Sequence, residues 1–182
     1  MRKLRVFESI SVDGYFCDAG GGMGWAHTGN DDPEFAAWVG GNASGGGELL
    51  LGRKTYQMME AFWPTPMAAA QMPVVAKGMN AARKYVASTT IEPTWNNTQL
   101  LKGDLLSAVR QLKAADGPDV TLLGSGNVAA QLGAAGLVDE YQFVIAPVAL
   151  GGGRTLFSSG RQLRLVDQRA FRCGNLVVTY AT

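Results

Sequence analysis

The sequence contains four short stretches in which glycine, hydroxyl and basic side chains are spaced as phosphate binding requires. In one of them, the run GSGNVA at 124–129 has the spacing GxGxxG/A, with an apolar run before it and a helical pattern after it. In that context the glycines allow a tight turn, and the free N–H groups of a helix start attract a pyrophosphate. A glycine-rich turn required only for packing would have the same sequence, so both interpretations stay open for this motif alone.

The other three stretches are LGRKTY (51–56), KYVASTT (84–90) and LGGGRTLF (150–157). LGRKTY places Arg53 and Lys54 in the first turn of a predicted helix, where cations oppose the helix dipole unless an anion lies nearby. The hydroxyls of KYVASTT are suited to a ribose phosphate, and the glycines of LGGGRTLF would let a flat ring or a phosphate approach the backbone. The alternatives are a solvated helix start, a simple turn and a flexible hairpin connection.

Carboxylates flank the first long loop of the chain and are the candidates for proton transfer. We predict Asp13, Asp31 and Glu34 as catalytic groups, because each could donate a proton beside a bound cofactor. Asp32 lies among them and is expected to cap the following helix. Turn and capping roles would account for all four residues equally well.

Composition excludes several classes of partner. The chain has 182 residues with 16 Lys plus Arg against 15 Asp plus Glu, so no long-range field would gather nucleic acid or anionic lipid, and neither is expected as a partner. Cys17, Cys173 and the one histidine, His27, provide no ligand set for zinc, so no metal is expected. The first apolar stretch is interrupted by acidic residues and no run is long enough to span a bilayer, which predicts a cytoplasmic protein.

Strands and helices alternate over most of the chain and must position these residues. The pattern predicts strands at 4–10, 48–51, 84–88, 98–101 and 119–123, and helices at 34–42, 52–61, 105–112 and 128–135. The segment 74–76 fits either element. From residue 140 onward three strand-like runs follow without a helix, which predicts an antiparallel meander. The length suits a single domain, 1–182, and no linker or repeat divides it.

The same motifs, in their order along the chain, resemble those of a known family. They are ISVDG (10–14), GW (24–25), LLLGRKTY (49–56), YVASTT (85–90), GDLLSAVRQLK (103–113), LLGSGNVAAQL (122–132), GLVDEY (136–141) and PVALGGGRTLF (147–157). By this order the chain is identified as a member of the dihydrofolate-reductase-like family, related to the C-terminal reductase domain of the bacterial bifunctional riboflavin-biosynthesis deaminase-reductase. The resemblance implies a three-layer α/β/α fold with a mostly parallel central sheet and an antiparallel C-terminal hairpin.

A function and a cofactor are also implied by the resemblance. It implies an NADPH-dependent reductase that acts on a pterin-like or ribosylamino-pyrimidine substrate, as in riboflavin biosynthesis, and that forms a homodimer. No carboxylate after the GW loop matches the pocket carboxylate of true dihydrofolate reductases, which disfavours folate reduction. A nucleotide-binding module without turnover and a weak dihydrofolate reductase are the alternatives.

The residues that the resemblance assigns to the cofactor follow predicted strands or begin predicted helices. They are Gly52, Arg53, Lys54 and Thr55 for cofactor phosphates, Ser88 and Thr89 for the adenosine ribose phosphate, Gly124, Ser125, Gly126, Asn127 and Val128 for the pyrophosphate, and Ile10, Ser11 and Gly152 near the nicotinamide and substrate.

Overall fold

The structure, a computed structural model, describes residues 1–29 and 31–182. Its strands are β1 (Leu4–Ser11), β2 (Tyr15–Cys17), β3 (Glu48–Gly52), β4 (Lys84–Ala87), β5 (Thr98–Leu101), β6 (Val120–Leu123), β7 (Glu140–Ala146), β8 (Arg154–Thr155), β9 (Arg164–Ala170) and β10 (Leu176–Ala181). Its helices are α1 (Pro33–Ala43), α2 (Arg53–Phe62), α3 (Pro66–Gln71), α4 (Pro73–Ala81), α5 (Leu105–Ala114) and α6 (Gly126–Ala134), with a 3-10 turn at Gly24–His27.

Strand pairing is mostly parallel. Parallel pairs join β3 to β4 and to β6, β4 to β5, and β1 to β7, whereas β10 is antiparallel to both β7 and β9. The predicted α/β fold, with a mostly parallel central sheet, flanking helices and an antiparallel C-terminal hairpin, is therefore confirmed.

The chain divides into two compact units, each discontinuous in sequence. The first unit comprises Met1–Leu4 and Ala37–Ser125, and the second comprises Arg5–Ala36 and Gly126–Thr182. That the whole chain forms one domain remains a prediction.

The first unit contains four parallel strands in the order β5-β4-β3-β6. All five residues of β3 are buried, as expected for a continuous apolar strand that is covered on both faces. Leu49, Leu51 and Val86 pack with Tyr56 of α2 and with Trp95 in the core of this unit. The apolar run of β3 and the amphipathic α2 therefore fix the turn at Gly52 that joins them.

Lys84 closes the C-terminal end of α4 from within this core. Its ammonium group donates hydrogen bonds to the carbonyls of Met79 at 2.9 Å and Ala82 at 2.7 Å, and it lies 4.3 Å from the ring centroid of Trp95. The residue is 0% exposed, and this burial lowers its pKa to about 8. A cation at this position satisfies carbonyls that the helix leaves unpaired and complements its dipole.

The second unit contains the strand order β1-β7-β10-β9 and a separate two-stranded ribbon, β2-β8. The predicted meander is wrong in its order, because β10 lies between β7 and β9. The hairpin of β9 and β10 turns at Gly174, which has φ 90°, and the N–H of Phe171 donates to the carbonyl of Asn175. The returning strand of this hairpin, rather than the leading one, pairs with β7.

Two helices differ from the sequence-based prediction. The segment 74–76, which fitted either element, lies in α4, and Pro66 begins the additional helix α3 after Thr65, whose hydroxyl accepts the N–H of Ala68. Proline suits the first helical position because the N–H that it lacks would have no partner there. Among the described residues, no helix combines the length and apolar character that a bilayer span requires.

Candidate functional site

Predicted cofactor residues of the first unit lie at the carboxyl ends of three neighbouring strands. Gly52 ends β3 and pairs in register with Ala87 of β4, which Ser88 follows; Gly124 and Ser125 follow β6, the other neighbour of β3. Because the three strands are parallel, these ends share one edge of the sheet, where ligands bind in open α/β sheets.

Ser125 links two of these strand ends. Its hydroxyl accepts the backbone N–H of Gly52 at 2.7 Å and lies 2.8 Å from the hydroxyl of Thr55. Its backbone has φ 61°, in the left-handed region, which costs a non-glycine residue about 1–2 kcal/mol. Such strain persists only where the surrounding contacts hold it, and it is concentrated at ligand-binding and catalytic sites.

The start of α2 has the features of an anion site. No side chain caps it, no acidic residue lies in its first turn, and the exposed Arg53 and Lys54 stand there instead. Uncapped N–H groups and two cations suit the phosphates of a dinucleotide. On the next strand, the hydroxyl of Ser88 accepts the N–H of Thr90 at 3.2 Å, and Thr89 is exposed.

In the second unit, Ile10 and Ser11 end β1, and Gly152 lies in the loop that follows its parallel neighbour β7. Ile10 is half-buried, and the space around Gly152 is open, since a Cβ placed there would meet no atom within 4 Å. These three residues thus lie at the carboxyl ends of neighbouring strands, and their place beside the nicotinamide and substrate remains a prediction.

Residues 126–128 form the first turn of α6, which contains no acidic residue. Gly126 is required here, because a Cβ would lie 2.3 Å from the ring of Phe16. Asn127 is exposed, whereas Val128 is buried. Close packing against Phe16 therefore explains the glycine at position 126, and the start of the helix remains suited to an anion.

Hydrogen bonds to Asp13 join the turn after β1 to the glycine loop, residues 150–153. Its carboxylate accepts hydrogen bonds from the Ser11 hydroxyl at 2.6 Å and from the N–H groups of Leu150 and Gly151 at 3.1 and 2.8 Å. The hydrogen bond from Ser11, and then those from the two N–H groups, lower the pKa of Asp13 to about 2. The group carries no proton at neutral pH, which disfavours the predicted role as a proton donor.

The other predicted acids lie at the start of α1, beside a pocket that Arg172 and Cys173 also line. Asp32 caps the helix by accepting the N–H of Glu34 at 2.9 Å, as predicted, and it also accepts the N–H of Cys173. Glu34 forms an exposed ion pair with Arg169 at 2.8 Å. Asp31 is exposed, and its catalytic role stays a prediction.

Glu8 is a candidate that the sequence reasoning did not select. Its side chain lies in the middle of β1 and is 3% exposed. One carboxyl oxygen accepts the N–H of Ser9 at 3.2 Å, while the other, Oε2, has no hydrogen-bond partner among the described residues. Burial raises the pKa of Glu8 to about 8, so the group is a neutral acid at pH 7.

The chain is an α/β protein with glycine, hydroxyl and basic residues at the carboxyl ends of its parallel strands, which is where proteins of this class bind ligands. The chain belongs to the family of the RibD C-terminal domain, which matches residues 2–179, and the resemblance inferred from the motifs is thereby confirmed.

Relatives cover nearly the whole chain. The uncharacterized protein YyaP of Bacillus subtilis (strain 168) is 26% identical over 182 residues, which are 98% of this chain and 94% of that protein. A putative riboflavin biosynthesis protein from Shewanella sp. PV-4 has a similar structure, with a TM-score of 0.69, 24% identity and 98% of each chain covered. A pyrimidine reductase-like protein from Corynebacterium diphtheriae has a TM-score of 0.62 at 14% identity, with 99% of this chain and 91% of that chain covered. The two solved structures show the shared fold.

Proposed function

We propose that this protein is an NADPH-dependent reductase of a small pterin-like or ribosylamino-pyrimidine compound. Membership of the RibD C-terminal domain family supports a reductase, and the observation that carries the proposal is the strained Ser125. Its hydroxyl ties the turn at the start of α2 to the turn that precedes α6. Both turns lead into helices whose first turns contain no acidic residue, which suits an anionic dinucleotide.

In this proposal the cofactor supplies the hydride, and the protein supplies binding and orientation. Arg53, Lys54 and Thr55 bind its phosphates at the start of α2, and Ser88 and Thr89 bind the ribose phosphate that distinguishes NADPH from NADH. The first turn of α6 binds the pyrophosphate. Ile10, Ser11 and Gly152 lie near the nicotinamide and the substrate.

A fluorescence titration of the purified protein with NADPH and with NADH tests the cofactor proposal. We expect tighter binding of NADPH, and we expect Arg53→Ala to weaken it at least tenfold, because a charged hydrogen bond contributes about 1.5–3 kcal/mol. Ser88→Ala should weaken NADPH more than NADH. Arg110→Ala is the matched control, because it removes an exposed arginine from α5, a helix that contains none of the assigned cofactor residues.

Failure of both nucleotides to bind to folded protein would overturn the proposal. If NADPH binds, dihydrofolate and ribosylamino-pyrimidines are tested for oxidation of the cofactor. Binding without turnover of any of them would favour the alternative, a nucleotide-binding module. The ionised Asp13 and the ion-paired Glu34 give that alternative its support, because neither is placed to donate a proton readily.

The proposal includes a homodimer in the cytoplasm. All seven residues of β9 are exposed, and the strand is the last in the order of the second unit. Leu165 and Val166 are 47% and 50% exposed there, and an open strand edge with apolar side chains is suited to a second copy of the chain. Light scattering of the wild type and of Val166→Glu measures the oligomeric state of each. A monomeric wild type would overturn the proposed homodimer.

A further inference from the structure

Glu8 lies on the face of the second unit's strands that α6 covers. In the register of β1 with β7, Val6 pairs with Tyr141 and Glu8 pairs with Phe143. The rings of Tyr141 and Phe143 stack with their centroids 5.9 Å apart, so these side chains share one face. The hydroxyl of Tyr141 lies 2.6 Å from where a Cβ on Gly133 would be, which identifies that face as the one beneath α6.

The carboxyl of Glu8 lies near the start of that helix. Gly126, the first residue of α6, packs against Phe16 beyond the carboxyl end of β1, whereas Gly133 lies over the row of Val6. An α-helix rises about 1.5 Å per residue, so these two glycines are roughly 10 Å apart along the axis. Glu8 is two residues beyond Val6 toward the carboxyl end of β1, about 7 Å along the strand, which gives an estimated separation of about 10 Å between its carboxyl and the first turn of α6.

Ionisable side chains of the second unit have partners of their own. They pair as Arg5 with Glu140, Arg154 with the thiol of Cys17, Arg161 with the Tyr141 hydroxyl and the Gly133 carbonyl, and Asp13 with the glycine loop. Helix α6 itself has no ionisable side chain. The burial that raises the pKa of Glu8 to about 8 is therefore not offset by a cation.

We propose that Glu8 is a positioning residue that links cofactor binding to a proton: the neutral acid is compatible with an anionic pyrophosphate at the start of α6, and the ionised form opposes it. The inference rests on the proposed function. Two unit charges about 10 Å apart at an effective dielectric constant of about 20 interact strongly enough to change an affinity about tenfold. Glu8 acts through α6 and does not touch the ligand, because its unpaired oxygen is buried.

The test is the pH dependence of NADPH binding to wild type and to Glu8→Gln, from pH 7 to pH 9.5. The phosphates of NADPH are already ionised over most of this range, since a phosphomonoester has its second pKa near 6. We expect the Kd of the wild type to rise about tenfold and the Kd of Glu8→Gln to stay within about twofold. Glu92→Gln is the control, because it removes the same charge from an exposed site.

A second measurement uses the wild type alone. Calorimetric titration at pH 8 in buffers of different ionisation enthalpy should detect the uptake of about half a proton per NADPH bound. A merely structural Glu8 would change stability without changing either readout. Binding with the same pH dependence in wild type and Glu8→Gln, together with no proton uptake, would overturn this inference alone, whereas absence of NADPH binding at pH 7 would overturn the proposed function and the inference with it.

Discussion

Replacing Glu8 by glutamine should increase the free energy of unfolding at neutral pH and remove much of its pH dependence. Burial raises the pKa of this carboxyl from its ordinary 4.5 to about 8. Between these values the unfolded chain is ionised and the folded protein is protonated, so folding must take up a proton. The stability that the neutral acid allows is complete below pH 4.5 and is lost as the pH rises through about 8.

The expected magnitude follows from the same shift. At pH 7 the proton must be taken up about 2.5 units above the pKa of the unfolded chain, which costs about 3 kcal/mol. Glutamine has no such cost, but its additional N–H donor lies in a site without a partner and costs about 1 kcal/mol. We therefore expect Glu8→Gln to be about 2 kcal/mol more stable than wild type at pH 7 and no more stable than wild type at pH 5.

Urea unfolding at pH values from 5 to 9 measures this difference. The transition midpoint of the wild type should fall with increasing pH, that of Glu8→Gln should change much less, and Glu92→Gln, at an exposed position, should follow the wild type. If the wild type and Glu8→Gln lose stability equally between pH 5 and pH 8, the carboxyl of Glu8 is not protonated in the folded protein and the reasoning is refuted.

Three further substitutions test other contacts. Ser125→Ala removes the hydroxyl that accepts a backbone N–H and keeps the left-handed backbone, so urea unfolding should show a loss of about 1–2 kcal/mol; an unchanged midpoint would contradict the role of this hydroxyl. Asp13→Asn weakens the hydrogen bonds to the glycine loop, so the amides of Leu150 and Gly151 should exchange hydrogen faster than in the wild type. Equal exchange rates would contradict these two hydrogen bonds. Gly78→Ala places a Cβ 2.4 Å from a backbone oxygen and should lower the free energy of unfolding by about 2 kcal/mol. The control Gly41→Ala adds a Cβ in open space and should raise the free energy of unfolding by about 0.5–1 kcal/mol, and thermal unfolding measures both changes.

The regular elements were predictable wherever one local signal dominates. A continuous apolar run followed by glycine defines β3, and the aspartate at 104 marks the start of α5, where its carboxylate accepts the N–H of Ser107. The helix that Pro66 begins was not predicted, and the segment after Pro73 was left open between helix and strand, because a proline can either end a helix or occupy the first position of one. The order of the last strands could not be predicted, since alternation along a strand indicates which residues share a face and not which strand lies beside it.

The candidate site was predictable in part, for the same reason. Glycine motifs identify turns after strands, and the structure has such turns at Gly52 and Gly124. The hydrogen bond between Gly52 and Ser125 joins residues 73 positions apart and follows from strand pairing, which the motifs do not contain. Glu8 alternates with Val6 and Ile10, but carboxylates are seldom fully buried without a partner, so the alternation alone does not predict its burial.

Chemical modification of Lys84 can measure how often the core of the first unit opens. An ammonium group that is 0% exposed and hydrogen-bonded to the end of α4 cannot meet an acylating reagent until that end of the helix opens. Exposed lysines such as Lys54 and Lys77 will be acylated at once. The slower modification of Lys84, followed by mass spectrometry, thus counts the openings of this core in the unmodified protein, without a denaturant or an added probe.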